Sequence, residues 1–279
     1  MGDAFVWGSR TYVMGIINVT PDSFSGDGLG TDLEAVLARA EQMVEEGADI
    51  LDIGGESTRP GATPVSEAEE LDRVVPAVEL LAKRLSVPLS IDTTKAAVAQ
   101  AALSAGAGWM NDVWGLHKEP ALAALAARHE ARLVLMHNRA ARSSRDEVGG
   151  HYAEVPYDDL IAEVSAFLAD SVRLAESEGV ERSRLVLDPG LGFGKTYAQN
   201  LELLRRLGEL RSLRLPLLVG ASRKSFVGRA TDSPELESRL EGSLAAAVLA
   251  VAGGADIVRA HDVGPTVRAC RMADAVLRL

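Results

Sequence analysis

The residues best placed to do chemistry in this chain stand at the ends of apolar runs. In order they are Asn18, Asp52, Asp92, Asn111 with Asp112, His137, Asp188, Ser222-Arg223-Lys224, and Arg259 with His261. A single Asp in such a place is as often a turn former or helix N-cap as a ligand. Polar endings on run after run are harder to attribute to capping. They divide into two chemical zones. Arg59, Arg223, Lys224, Arg259 and His261 supply positive charge suited to a phosphate, diphosphate or carboxylate. Asp52, Asp92, Asn111 and Asp188 call for hydrogen-bond donors or developing positive charge. A site holding both zones suits heterolysis, in which an anion leaves and a cation forms.

Three loops beside these residues are rich in turn formers. Residues 18–28 read Asn-Val-Thr-Pro-Asp-Ser-Phe-Ser-Gly-Asp-Gly, and residues 54–61 read Gly-Gly-Glu-Ser-Thr-Arg-Pro-Gly. Both read as mobile lids with polar cargo. Residues 188–196, Asp-Pro-Gly-Leu-Gly-Phe-Gly-Lys-Thr, tempt a phosphate-loop reading. Gly190 and Gly194 leave one residue too few between them, and Tyr197 stands where a dinucleotide fingerprint needs its third glycine. ATP and NAD are therefore poorly supported, and the glycines fit close approach of a flat ligand beside Phe193. The five histidines lack zinc spacing. Mg²⁺ held partly through a substrate phosphate stays open.

Eight short runs must position these groups: 12–19, 48–54, 88–93, 108–113, 132–137, 184–189, 216–220 and 255–261. Most lack polar alternation and read as strands buried on both faces, as in a parallel sheet wrapped by helices. Helical patterns fill the gaps at 32–46, 67–85, 95–105, 120–127, 157–178, 200–207 and 237–252. Eight βα units in this length predict an α/β fold of the (β/α)₈ TIM-barrel type, one domain over 1–279. An internal repeat supports it. Gly47, Gly106 and Gly254 each end a helix and lead into a strand, and five residues after each comes Asp52, Asn111 or Arg259. Equal offsets in period-2 strands predict that these three point inward on the same side.

Composition narrows the rest. With 29 Lys and Arg against 40 Asp and Glu, the net charge is −11, which disfavours nucleic acid as a partner. The lone Cys270 excludes a disulfide framework and predicts a reducing, cytoplasmic setting, with the thiol packed quietly in the last helix. Residues 1–6 lack a basic start and an apolar core, and the most apolar run, 244–255, is too short to span a bilayer. That run reads as a buried helix with its own glycine stop.

The motifs together are more specific than any one of them. Residues 14–25 (Met-Gly-Ile-Ile-Asn-Val-Thr-Pro-Asp-Ser-Phe-Ser), 52–61, 111–113, 188–195, 222–225 (Ser-Arg-Lys-Ser) and 259–262 (Arg-Ala-His-Asp) resemble the dihydropteroate synthases, sulfonamide-inhibited folate enzymes, from Tyr12 to the C-terminus. The resemblance implies a transferase that condenses dihydropterin-CH₂-diphosphate with p-aminobenzoate, releasing diphosphate by a dissociative route. It implies that Asp92, Asn111, Asp188, Lys224 and Arg259 bind the pterin, and that Asn18, Thr58, Arg59 and His261 bind the diphosphate. Asn18 would also ligate Mg²⁺. Thr58, Arg59, Pro60, Phe193, Lys224 and Ser225 would form the aminobenzoate pocket, with Asp22, Asp92 and Lys224 catalytic. A homodimer and no membrane or nucleic-acid partner complete the expectation. The order Ser25-Gly26-Asp27-Gly28 departs from the family's usual Ser-Asp-Gly-Gly, shifting an acid within the first lid; Ala260 and residues 138–141 also depart from it. Three rival readings remain: a pterin-dependent methyltransferase-like barrel, a pterin-binding paralogue without turnover, and an aldolase with Lys224 as a Schiff-base lysine, its pKa lowered by Arg223.

Overall fold

The computed structural model describes residues 5–20, 32–56, 65–139 and 155–278. Its strands are β1 (Tyr12–Asn18), β2 (Ile50–Gly54), β3 (Leu89–Asp92), β4 (Trp109–Asp112), β5 (Arg132–Met136), β6 (Leu185–Asp188), β7 (Leu218–Val219) and β8 (Ile257–Ala260). All pair in parallel, in the order β6-β5-β4-β3-β2-β1-β8-β7. A single parallel bridge, Leu187 to Leu217, joins the two ends of that order and closes the barrel. The helices are α1 (Leu33–Glu45), α2 (Glu67–Arg84), α3 (Ala96–Ala105), α4 (Ala121–Arg128), α5 (Leu160–Ser177), α6 (Tyr197–Arg205), α7 (Ser225–Ala230), α8 (Leu240–Ala252) and α9 (Val263–Leu277). The (β/α)₈ expectation is met.

The absence of polar alternation now has its cause: both faces of each strand are buried, in two different cores. Leu51, Ile53, Ile91, Leu133, Leu187 and Val258 pack outward under the helices. Met14, Ile50, Trp109, Val134, Val186, Leu218 and Ile257 fill the barrel interior. Phe5 and Trp7 pack against that interior cluster from the chain's start. Arg132 lies 5.4–5.8 Å from the ring centroids of Phe5, Trp7 and Trp109, so an aromatic plug with a buried cation closes the barrel's N-terminal end.

Local signals set the element ends. Gly47, Gly106 and Gly254 have φ of 103°, 120° and 90°, the left-handed stop that the repeat required. Asp32 caps α1 and Asp159 caps α5, each accepting two backbone N–H groups. The sixth helix starts at Tyr197, three residues before its expected start, because Thr196 and Gln199 form a capping box. The apolar run 244–255 needs a larger correction. It is helical to Ala252, but it lies in the outer ring, and Val248 and Leu249 are 37% and 57% exposed rather than buried.

Candidate active site

Period-2 alternation carries each interior row one step further, to the C-terminal mouth. Two residues beyond Ile50 is Asp52, beyond Trp109 is Asn111, beyond Val186 is Asp188, and beyond Ile257 is Arg259. The three residues of equal offset meet on one atom. Asp52 Oδ2 accepts from Asn111 Nδ2 at 2.9 Å and from Arg259 Nε at 2.6 Å. Arg259 Nη2 donates to Asp92 Oδ2 at 2.8 Å, so one guanidinium spans two carboxylates. Asp52 is fully buried, and its Oδ1, like Asn111 Oδ1, is buried without a hydrogen-bond partner. These acceptors suit a ligand edge that presents N–H groups.

The electrostatics follow from burial. Asp92 is pushed up to about 7, by burial foremost, with Arg259 opposing and the Asp52 charge adding to the rise. Asp188 is also raised by burial, against the nearby Lys224 and the Gly190 N–H that its Oδ1 accepts at 2.7 Å. Lys224 is lowered to about 8 by burial, with Arg259 adding to the fall and Asp188 and Asp92 resisting it. Its Nζ donates to Leu191 O and stands 4.5 Å from the Phe193 ring centroid.

Ser222 Oγ lies 3.0 Å from His261 Nδ1, joining the loops after β7 and β8. Arg223 corrects the expectation placed on it. Its guanidinium is bidentate on Asp262, at 3.0 and 2.7 Å, and the cation whose field depresses Lys224 is Arg259. Asp112 likewise shapes a turn, accepting from Trp114 N at 2.9 Å and Leu116 N at 2.6 Å. Asn18 ends β1 half-buried, and Ser225 opens α7 half-buried. Among the described residues no cluster of three His, Cys, Asp or Glu side chains gathers to hold a metal. One neutral oxygen from Asn18 fits Mg²⁺ that keeps its waters and arrives with a phosphate.

The loop after β6 is held from beneath. Lys195, 2% exposed, donates to Gly190 O at 2.9 Å and Phe193 O at 3.0 Å, with His137 Nδ1 also 2.9 Å away. Asn200 Oδ1 accepts from Gly192 N at 2.6 Å. Phe193 packs with Val113, Met136 and Trp114.

The description of a known family, "Pterin binding enzyme", matches residues 14–261. The chain is 48% identical over 274 residues to the dihydropteroate synthase of Synechocystis sp., spanning 98% of this chain and 93% of that one. The solved dihydropteroate synthase of Yersinia pestis in a sulfonamide drug complex superposes with a TM-score of 0.89 at 45% identity, covering 97% of this chain and 95% of that one. The enzyme from Xanthomonas albilineans in complex with 7,8-dihydropteroate gives 0.84 at 43% identity, covering 97% and 95%. The chain belongs to the dihydropteroate synthases of the pterin binding enzyme family.

Of the residues that the family resemblance singled out, the structure gathers Asp92, Asn111, Arg259, Asp188, Lys224 and Phe193 by contact or by field. His261 is tied to Ser222. Asp22, Thr58, Arg59 and Pro60, with the shifted Asp27, lie outside the described residues. The beginning of the second loop is anchored: Lys95 Nζ bridges Glu56 and the buried Glu70, and Arg73 Nη1 donates to Gly55 O at 2.8 Å. Sequence reasoning quoted Lys195 without giving it a task and passed over Lys95 and Glu70. Lys95 and Glu70 meet from distant elements, and Lys195 is singled out by its burial against the end of β5, so no local spacing marked them.

Proposed function

We infer that this protein is a transferase that joins (7,8-dihydropterin-6-yl)methyl diphosphate to p-aminobenzoate, giving 7,8-dihydropteroate and diphosphate. The observation that carries the reading is the buried Asp52–Asn111–Arg259–Asp92 network beside Lys224, within a chain so similar to dihydropteroate synthases. Asp92, Asn111 and Asp188 accept the pterin's N–H groups, and Arg259 lays its planar guanidinium against the ring. Lys224, beside Phe193, sits between the pterin and the aminobenzoate; Thr58, Arg59, Pro60, Phe193 and Ser225 enclose the latter. A sulfonamide competes for that same pocket.

The methylene C–O bond breaks first, its electron pair leaving with the diphosphate toward Asn18, Thr58, Arg59 and His261. Carboxylates around the pterin, with Asp22 from the first lid, favour the resulting cation. The aniline nitrogen then forms the C–N bond and gives up a proton to solvent or diphosphate. Water must be excluded from the site, or it would capture the cation. Asn18 would hold Mg²⁺, which would supply positive charge against the departing diphosphate.

The protein acts in the cytoplasm as one barrel domain and as a homodimer, with the apolar face of α8 supporting association. No helix among the described residues is long and apolar enough to cross a membrane. The deciding experiment measures diphosphate release from the pterin substrate with Mg²⁺, with and without p-aminobenzoate, alongside mass detection of dihydropteroate. Coupled release and product formation are expected. Tight pterin binding with no condensation would overturn the reading in favour of a binding protein.

A further inference from the structure

Asp52 has no assigned role in the reaction, yet two binding residues rest on one of its oxygens. Asn111 and Arg259 come from β4 and β8, and both donate to Asp52 Oδ2, at 2.9 and 2.6 Å. A carboxamide has two faces of opposite polarity, and its orientation is set by the partners around it. Here a carboxylate oxygen takes the NH₂ side. A flipped Asn111 would set its carbonyl oxygen against that carboxylate, acceptor against acceptor, in a place where Asp52 is 0% and Asn111 3% exposed. Asn111 is thus locked with Oδ1 buried, without a partner, and available only to a donor.

Arg259 is constrained by the same atom. Its Nε is held by Asp52 and its Nη2 by Asp92 at 2.8 Å, and two anchors on different nitrogens fix the plane of a rigid fork.

We propose that Asp52 is a specificity-determining positioning residue: by taking the NH₂ of Asn111 and the Nε of Arg259 on one oxygen, it makes Asn111 an obligate acceptor and restricts the site to flat heterocycles presenting an N–H there. This rests on the reading that Asn111 and Arg259 face the pterin. Asp52→Asn is nearly isosteric but can offer either polarity, which releases the lock on Asn111.

The test compares dissociation constants of wild type and Asp52→Asn for three probes. They are 6-hydroxymethyl-7,8-dihydropterin, its oxidised form lacking the N8–H, and the 2-oxo analogue in which a carbonyl acceptor replaces the exocyclic amine. Wild type is expected to prefer the dihydropterin over at least one analogue by a hundredfold or more, as buried polar sites reject mismatched partners. In Asp52→Asn that preference shrinks tenfold or more, while the KM for p-aminobenzoate holds within twofold. In an Asn111→Leu background, Asp52→Asn changes the preference no further. Equal weakening for all three probes, or an undiminished effect in the Asn111→Leu background, would overturn the proposal. If Asp52→Asn fails to fold, Asp52→Ser carries the same expectation. Failure of wild type to bind any of the probes would overturn the pterin reading itself, and this proposal with it.

Discussion

Two groups at the mouth of the barrel titrate near neutrality from opposite directions. The catalytic reading needs Asp92 ionised, to accept N–H groups, and Lys224 protonated. With Asp92 near 7 and Lys224 near 8 in the free protein, kcat/KM for the pterin should follow a bell whose limbs lie close to those values. Asp92→Asn removes the acid limb, and Lys224→Gln the alkaline one; each costs at least about tenfold in kcat/KM, as loss of a charged hydrogen bond does. The same carboxyl affects stability. Its folded pKa is raised above the unfolded value, so its contribution is fully present below about 4 and is lost as pH rises through about 7. Thermal melts of the ligand-free protein should therefore show a falling component between those values that Asp92→Asn abolishes. A melting profile with the same slope in the variant would refute this.

At the level of elements, the loop after β6 depends on one backbone position. Gly190 has φ of 71°, and a Cβ built there would stand 1.9 Å from His137 O. The left-handed conformation alone costs an L-residue roughly 1–2 kcal/mol, and the carbonyl is not a side chain that can swing aside. Gly190→Ala should cost more than about 2 kcal/mol in denaturant unfolding and raise the KM for p-aminobenzoate by displacing Phe193. How much of this could be read from residues alone varies with range. The strands were legible because two-faced burial leaves an uninterrupted apolar run, and Asp52, Asn111 and Arg259 because three glycine stops start their strands in one phase. Lys195 was not. Its three partners come from the ends of β5 and of its own loop, and the burial of its ammonium follows from tertiary packing. Arg223 looked like a site cation on the same grounds as Lys224, its neighbour. Only Asp262, from the loop after β8, decides between them.

For the molecule as a whole, stability and chemistry sit at opposite ends of the barrel. Trp7→Ala removes a half-buried ring from the plug around Arg132 and should lower stability by about 1–3 kcal/mol, less than loss of a fully buried aromatic, while leaving kcat within twofold at a temperature where the protein stays folded. An equal loss of kcat would show that the two ends are coupled. The outer ring carries the association proposed above: Leu249, 57% exposed on α8, should give a monomer by sedimentation when replaced in Leu249→Glu. The three tryptophans divide along the same axis. Trp7 and Trp109 belong to the plug, whereas Trp114 packs beside Phe193 at the mouth. Replacing the first two by phenylalanine leaves a single tryptophan, packed beside the Phe193 ring proposed above to border p-aminobenzoate. The molecule then reports occupancy of its own mouth by emission alone, with no label attached.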